Sequence, residues 1–383
     1  MDALSFPPAA PPVQAQPSGL DTPVGQHDFS IHGVLGIRMI NPAPVDAATI
    51  ARQLGVRPGR AYAEPDIVLK FVERLPTRGS CYVGSKGPGV DRDGRLVVRR
   101  GAHRAAIDLG GIGGTCEILC ESGIGSVPLL ESIADVTILG KGYATLHASA
   151  FVHRDRTIVA TAWAHGGKTT ALLAFTEHGA DYLSDDRVWI RGDGEEVYGF
   201  STDLTPKEWQ LGQLSSLAAE RTVARRLGLY LLRRIEATCA RRAPVLPARV
   251  LGKAVNHARR RLLPPAQPER LFDRTVTGPA ERPHAVFVML RHEGPEIVVE
   301  PLSGRCLVTC AAVSVQHDQR ELFEQYRALR FGAPTRPNRC LQSAARLHRE
   351  ILTSALRGTR AYIVRHPPTV CLAELYRAME PFS

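Results

Sequence analysis

Residues 157–190, TIVATAWAHGGKTTALLAFTEHGADYLSDDRVWI, restrict the folds open to this chain more than any other stretch. An apolar, β-branched run over 157–162 reads as a strand. A short loop, 163–167, ends in Gly166-Gly167 and runs directly into Lys168, Thr169 and Thr170. Ala171, Leu172, Leu173 and Phe175 then carry a helical pattern, and Gly179 stands where a left-handed helix end favours glycine. A second apolar run leads into Ser184-Asp185-Asp186. Strand, glycine loop, Lys-Thr, helix, strand and acidic pair is the layout of a phosphate-binding loop with metal-side carboxylates.

The residue types follow from the chemistry. Glycines let backbone N–H groups turn inward around phosphate oxygens. Lys168 places one compact positive charge at the end of the loop, where β- and γ-phosphates would lie, and the Thr169 hydroxyl is placed to ligate Mg²⁺. The start of the helix adds partial positive charge. An aspartate at the end of a neighbouring strand holds the metal or takes a proton from an attacking hydroxyl. The match to G-x-x-x-x-G-K-[ST] is incomplete, because Ala162 stands at the first glycine position. The competing interpretation is an ordinary glycine turn with a solvated Lys168.

Leu146-His147 lies upstream of the loop, and the segments LHAS, AWAHGGKT and LSDDRV together resemble the HPr kinase/phosphorylase family. The resemblance covers residues 142–197. It implies an α/β fold with a PEP-carboxykinase-like P-loop core, ATP and Mg²⁺ as cofactors, and transfer of a phosphoryl group to a hydroxyl. By position it implies that Gly166, Gly167, Lys168, Thr169 and Thr170 bind the nucleotide and that Thr169 and Asp186 hold the metal. Asp185 would be the catalytic base, and His147 would line the site. The departures are Ala162 and His165 at family glycine positions and Ala164 at the serine position. The family's later segment that serves the phosphorylase reaction has no counterpart here, which points to a divergent kinase. The acceptor is expected to be a peptide, protein or small molecule, and an anionic one suits the charge of the chain.

The 383 residues, 44% of them apolar, suffice for a large core. No apolar run is long enough to span a membrane, and the N-terminus lacks the pattern of a secretory signal. The pairs Cys116/Cys120 and Cys306/Cys310 are spaced C-x-x-x-C, which is not zinc or redox spacing. Both lie in runs that read as strands with buried thiols, and a reduced, cytoplasmic protein is expected.

Residues 1–27, with six prolines, read as a disordered tail. Residues 28–140 read as an N-terminal α/β subdomain. Within it, 46–55 is a helix capped by Asp46 and stopped by Gly55, 66–72 is a strand, and 96–99 and 105–109 are strands joined at Gly101. CESGIGS, 120–126, imitates a phosphate loop but lacks the lysine, and Ser126 is expected to cap a helix over 127–134.

The kinase core is expected over 141–330 and a C-terminal helical region over 331–383. Within the core, 207–270 holds fourteen Lys/Arg against four Asp/Glu, so it carries the entire +10 excess of the chain. It reads as a basic helical insertion and is suited to a lid or acceptor-docking role. Residues 286–290 and 297–299 read as a hairpin, and helices are expected over 319–329 and 338–357, the second turning Leu341, Ala345, Leu347 and Ile351 inward. Two rival functions remain: a nucleotide-binding regulator or ATPase without an acceptor, and a nucleic-acid-binding protein that uses the basic segment. The segment lacks the interleaved aromatics of single-strand binders, which makes nucleic acid the weaker of the two.

Overall fold

The computed structural model describes residues 25–55, 64–76, 80–84, 87–214, 267–272, 274–335 and 337–383, and it is a mixed α/β protein with three sheets. The tail over 1–24 and most of the basic insertion, 215–266, lie outside the described residues.

The N-terminal sheet contains β1 (Gln26–Ile31), β2 (Leu35–Ile40), β3 (Ile67–Val72), β4 (Cys81–Tyr82), β5 (Gly89–Val90), β6 (Leu96–Arg100), β7 (His103–Ile107) and β8 (Cys116–Glu121). Their order is β1-β2-β3-β8-β7-β6-β5-β4. β1 thus begins within the segment read as tail. Helix α1 (Pro44–Leu54) ends at Gly55 in the left-handed region, φ 65°. Asp46 is not its N-cap, which is Ala43. It sits in the first turn, and its carboxylate accepts the N–H of Gly123 at 2.8 Å. An N–H of CESGIGS is therefore satisfied by a carboxylate of the chain itself. Helix α2 spans Leu130–Leu139 with Leu129 as N-cap, not Ser126. Ser126 Oγ instead accepts from Arg100 Nε at 3.0 Å. Left-handed Gly123, Gly125 and Leu129 keep the chain turning until Leu130.

The central sheet contains β10 (Ala148–His153), β11 (Arg156–Ala162), β12 (Asp181–Ser184), β16 (Pro283–Arg291), β17 (Val298–Pro301) and β18 (Arg360–His366). Their order is β12-β10-β11-β16-β18-β17. β11, β16 and β18 pair in parallel, and β10 runs antiparallel between β11 and β12. β12 therefore points the same way as the three parallel strands. The third sheet, order β15-β14-β13-β9, contains β9 (Tyr143–Leu146), β13 (Val188–Arg191), β14 (Glu196–Gly199) and β15 (Ala280–Glu281).

Both faces of β11 and β16 are covered, which explains why their sequences are continuously apolar. Ile158, Ala160, Ala285 and Phe287 meet helices α3 (Lys168–Thr176) and α9 (Leu372–Met379) on one face. Val159, Val286 and Val288 belong to a second cluster on the other face, with α6 (Gly304–Asp318) and α8 (Arg339–Ala355). The second cluster continues without a break to Phe29 and Ile37 of the N-terminal sheet. The short helices α4 (Glu208–Leu211) and α5 (Pro268–Leu271) lie at the two ends of the basic segment, and α7 (Arg320–Gly332) follows α6.

Three further expectations need correction. β16 and β17 are not a hairpin, because β18 lies between them, parallel to β16 and antiparallel to β17. A strand buried on both faces needs a hydrogen-bonding partner on each edge, and β18 supplies one for β16. The run around Cys306 and Cys310 is helix α6, with Ser303 accepting the Cys306 N–H at 3.3 Å and both thiols exposed. Its β-branched residues favour a strand locally, but Leu307, Val308, Ala311, Ala312 and Val315 form one buried helical face, and packing overrides propensity. In α8, Leu341 and Ile351 are buried as expected, whereas Ala345 is exposed and Ala344 and His348 point inward.

Asn338 ties the C-terminal helices to the N-terminal sheet. Its Nδ2 donates to Gly110 O at 3.1 Å and to Ile112 O at 2.8 Å, while its Oδ1 caps α8 by accepting from Leu341 N at 2.9 Å. Asn338→Ala leaves the buried Ile112 carbonyl unpaired and removes the cap, so it should cost about 2–4 kcal/mol in urea unfolding. A loss under about 0.5 kcal/mol would show that these bonds do not hold the two regions together.

Candidate functional site

Four chain segments end at one edge of the central sheet. β11 runs into the loop 163–167, β12 into Asp185-Asp186, β16 ends at Arg291 and β18 at His366. His147 sits between β9 and β10 at the same edge. Ligands of parallel sheets gather at such carboxyl ends, where helix N-termini also point.

The loop geometry requires both of its glycines. A Cβ on Gly166 would lie 2.8 Å from Ala162 Cβ and 2.9 Å from Trp163 O. Gly167 has φ 125°, and a Cβ there would come within 2.4 Å of His366 Nε2. His165 adopts the left-handed region, φ 61°, at a cost of about 1–2 kcal/mol for a non-glycine residue. Ala162 needs no glycine, because it is the last paired residue of β11, opposite Met289.

Lys168 is only 6% exposed, so it is not the solvated lysine of an ordinary turn. Its Nζ lies 3.1 Å from Asp186 Oδ1 and contacts His147 Nε2. Ser149 Oγ donates to Lys168 O at 2.9 Å, and Thr161 Oγ donates to His147 O at 3.0 Å. Gln210 Nε2 donates to the Thr170 hydroxyl at 2.9 Å and so anchors α4 to the first turn of α3. Thr169 Oγ1 donates to Asp185, 2.8 Å from Oδ2. The structure thus brings Lys168, Thr169, Asp185, Asp186 and His147 together, while Thr170 faces Gln210.

The two aspartates differ in environment. Asp185 is buried, and burial first, then the neighbouring Asp186 charge, push its pKa up to about 6, against the opposing Thr169 hydrogen bond and Lys168 charge. Asp186 is exposed, with φ 73°, and its hydrogen bond to His147, helped by Lys168, holds it well below the usual carboxylate range. Burial disfavours charge on His147, but hydrogen bonds to Asp186 at 3.1 Å and Asp318 at 2.9 Å outweigh it and raise its pKa.

Sequence reasoning missed several participants. Ser314 and Asp318, both on α6, lie 2.8 Å and 2.9 Å from His147 Nδ1. Ser314 Oγ also donates to Ala162 O at 2.9 Å, joining α6 to the end of β11. Trp163 packs against His317, one residue before Asp318, with ring centres 4.3 Å apart and planes tilted by 32°. Lys207 stands near Arg291, and burial together with the arginine's charge lowers its pKa. The signal for α6 was its Ser-Gly start and its i, i+4 apolar spacing, hidden by β-branched residues.

Thr169 Oγ and the two carboxylates are hard oxygen donors of the kind Mg²⁺ prefers. A cation there would also relieve the repulsion between Asp185 and Asp186. Among the described residues no helix is long and apolar enough to cross a membrane. Compared with protein-family models and with curated proteins, the chain matches none.

A carboxyl whose folded pKa exceeds its unfolded one binds its proton more tightly when folded. Ionising Asp185 therefore costs stability as pH rises from about 4 to about 6. Asp185→Asn should be more stable than the wild type at pH 7, by at most about 3 kcal/mol, and the gap should close as pH falls to about 4. Melting curves across that range test this, and a pH-independent difference would contradict it.

Proposed function

We propose that this chain is an ATP- and Mg²⁺-dependent kinase with a PEP-carboxykinase-like P-loop core, similar to HPr kinase/phosphorylase. It would transfer the γ-phosphoryl group to a hydroxyl of a peptide, protein or small molecule. The observation that carries this reading is the convergence of a buried Lys168, at the start of α3 behind two obligatory glycines, with Asp185, Asp186 and His147.

In this reading Lys168 rests on Asp186 and His147 until phosphate oxygens draw its ammonium into the loop. The amides of Gly167 and the first turn of α3 hold the nucleotide phosphates. Thr169 Oγ1 and Asp186 would hold magnesium, which would supply neutralising charge for the phosphoryl oxygens. Asp185 takes the proton of the acceptor hydroxyl, whose oxygen forms the new bond to the γ-phosphorus. The bond from that phosphorus to the β–γ bridging oxygen breaks, and ADP leaves with the electron pair. A base with a pKa of about 6 is ionised near neutrality yet still basic enough to take a proton. Lys207 and Arg291 offer positive charge to an anionic acceptor from the same edge.

ATP with Mg²⁺ should raise the melting temperature, and Lys168→Ala should abolish most of the rise. With labelled ATP and a cell extract as acceptor source, Asp185→Asn should lower phosphotransfer about 10²-fold or more while ATP still binds. Hydrolysis without a labelled product would favour an ATPase. Wild-type transfer by Asp185→Asn would remove the base assignment.

A further inference from the structure

The last residue of β18, His366, has no part in the chemistry above, yet it touches the phosphate loop. It is 1% exposed, and β18 holds it in register with Arg291, with His292 N–H donating to His366 O at 3.0 Å. Its Nε2 lies 3.1 Å from Gly166 O and its Nδ1 2.8 Å from Pro367 O. The same Nε2 occupies the space that a Cβ on Gly167 would need.

No peptide bond in the described chain is cis. The carbonyl of Gly166 and the N–H of Gly167 therefore share one planar trans unit and point in opposite directions. Whatever fixes that carbonyl also aims that amide. A phosphate loop works through inward-facing amides, and a peptide flanked by two glycines has little stiffness of its own to resist flipping.

We propose that His366 is a positioning residue of the phosphate loop. By donating Nε2–H to the Gly166 carbonyl, it turns the Gly166–Gly167 peptide so that the Gly167 N–H is presented to an anion held in the loop. The proposal rests on the kinase reading for the identity of that anion, a nucleotide phosphate. A neutral imidazole has one N–H for its two carbonyl neighbours, so the tautomer matters. With the proton on Nε2 the ring bridges β18 to the loop, and with the proton on Nδ1 it bonds only its own neighbour Pro367.

The test is calorimetric titration with Mg²⁺–ATP. His366→Phe keeps an aromatic ring of similar volume but loses the donor, and its Kd should rise about tenfold or more. His366→Gln keeps an N–H at similar reach and should stay within about threefold of the wild type. A packing role would give the opposite order. Unchanged affinity in His366→Phe, or equal weakening in both variants, overturns the proposal. If His366→Phe does not fold, ¹⁵N shifts of the wild-type ring, assigned with His366→Gln, decide between tautomers. Protonated Nε2 supports the proposal and protonated Nδ1 overturns it. Lys168→Ala separates the two levels of inference. ATP binding that does not need Lys168 removes the kinase reading and the proposal with it, whereas Lys168-dependent binding unchanged in His366→Phe removes the proposal alone.

Discussion

The parallel pairing of β11, β16 and β18 is the constraint on which the rest of this structure depends. Three strands running the same way deliver their carboxyl ends to one edge, and β12 adds a fourth. Such strands cannot be joined by tight turns, so helices must return the chain across the sheet. Those helices cover both faces, which is why α3 and α6 reach the same edge from opposite sides. The site is where this traffic converges. Its residues lie far apart in sequence because parallel topology separates neighbouring strands by long crossovers.

The charges at that edge are balanced against one another. Lys168 and His147 would repel, and so would Asp185 and Asp186. The Asp186 oxygen lies 3.1 Å from both the Lys168 ammonium and the His147 ring. Asp185 takes the buried position, and burial drives its carboxyl toward the neutral form. Two adjacent acids thus have different properties because one faces solvent and the other does not. His147 is braced by Ser314 and Asp318, so α6 sets the orientation of a group carried by a different sheet junction. His165 and Asp186, both at this edge, adopt left-handed backbones.

The N-terminal sheet is not a loose attachment. Its apolar residues belong to the same cluster as β13, α6 and α8, and Asn338 hydrogen-bonds to the loop before β8. Arg187, next to the acidic pair, donates to Leu54 O at 3.2 Å and sits over the Phe200 ring. A disturbance in the N-terminal sheet therefore has a short physical route to the site.

Local patterns alone determined the strand, glycine loop, helix and acidic pair over 157–190, because each is a short-range consequence of periodicity and glycine geometry. The stop of α1 at Gly55 and the turn at Gly101 were legible for the same reason. Other features were decided only by tertiary structure. The helical state of 304–318 depends on one face meeting β11 and β16, and its β-branched residues argue the other way locally. The insertion of β18 between β16 and β17 depends on edge pairing, which leaves no trace in hydrophobic spacing. His366, Ser314 and Asp318 carry no motif, and their roles arise from where parallel strands and crossing helices end. Sequence order encodes contacts a few residues apart, whereas the contacts of His147 with Ser314 and Asp318 and of Gly166 with His366 join segments up to two hundred residues distant.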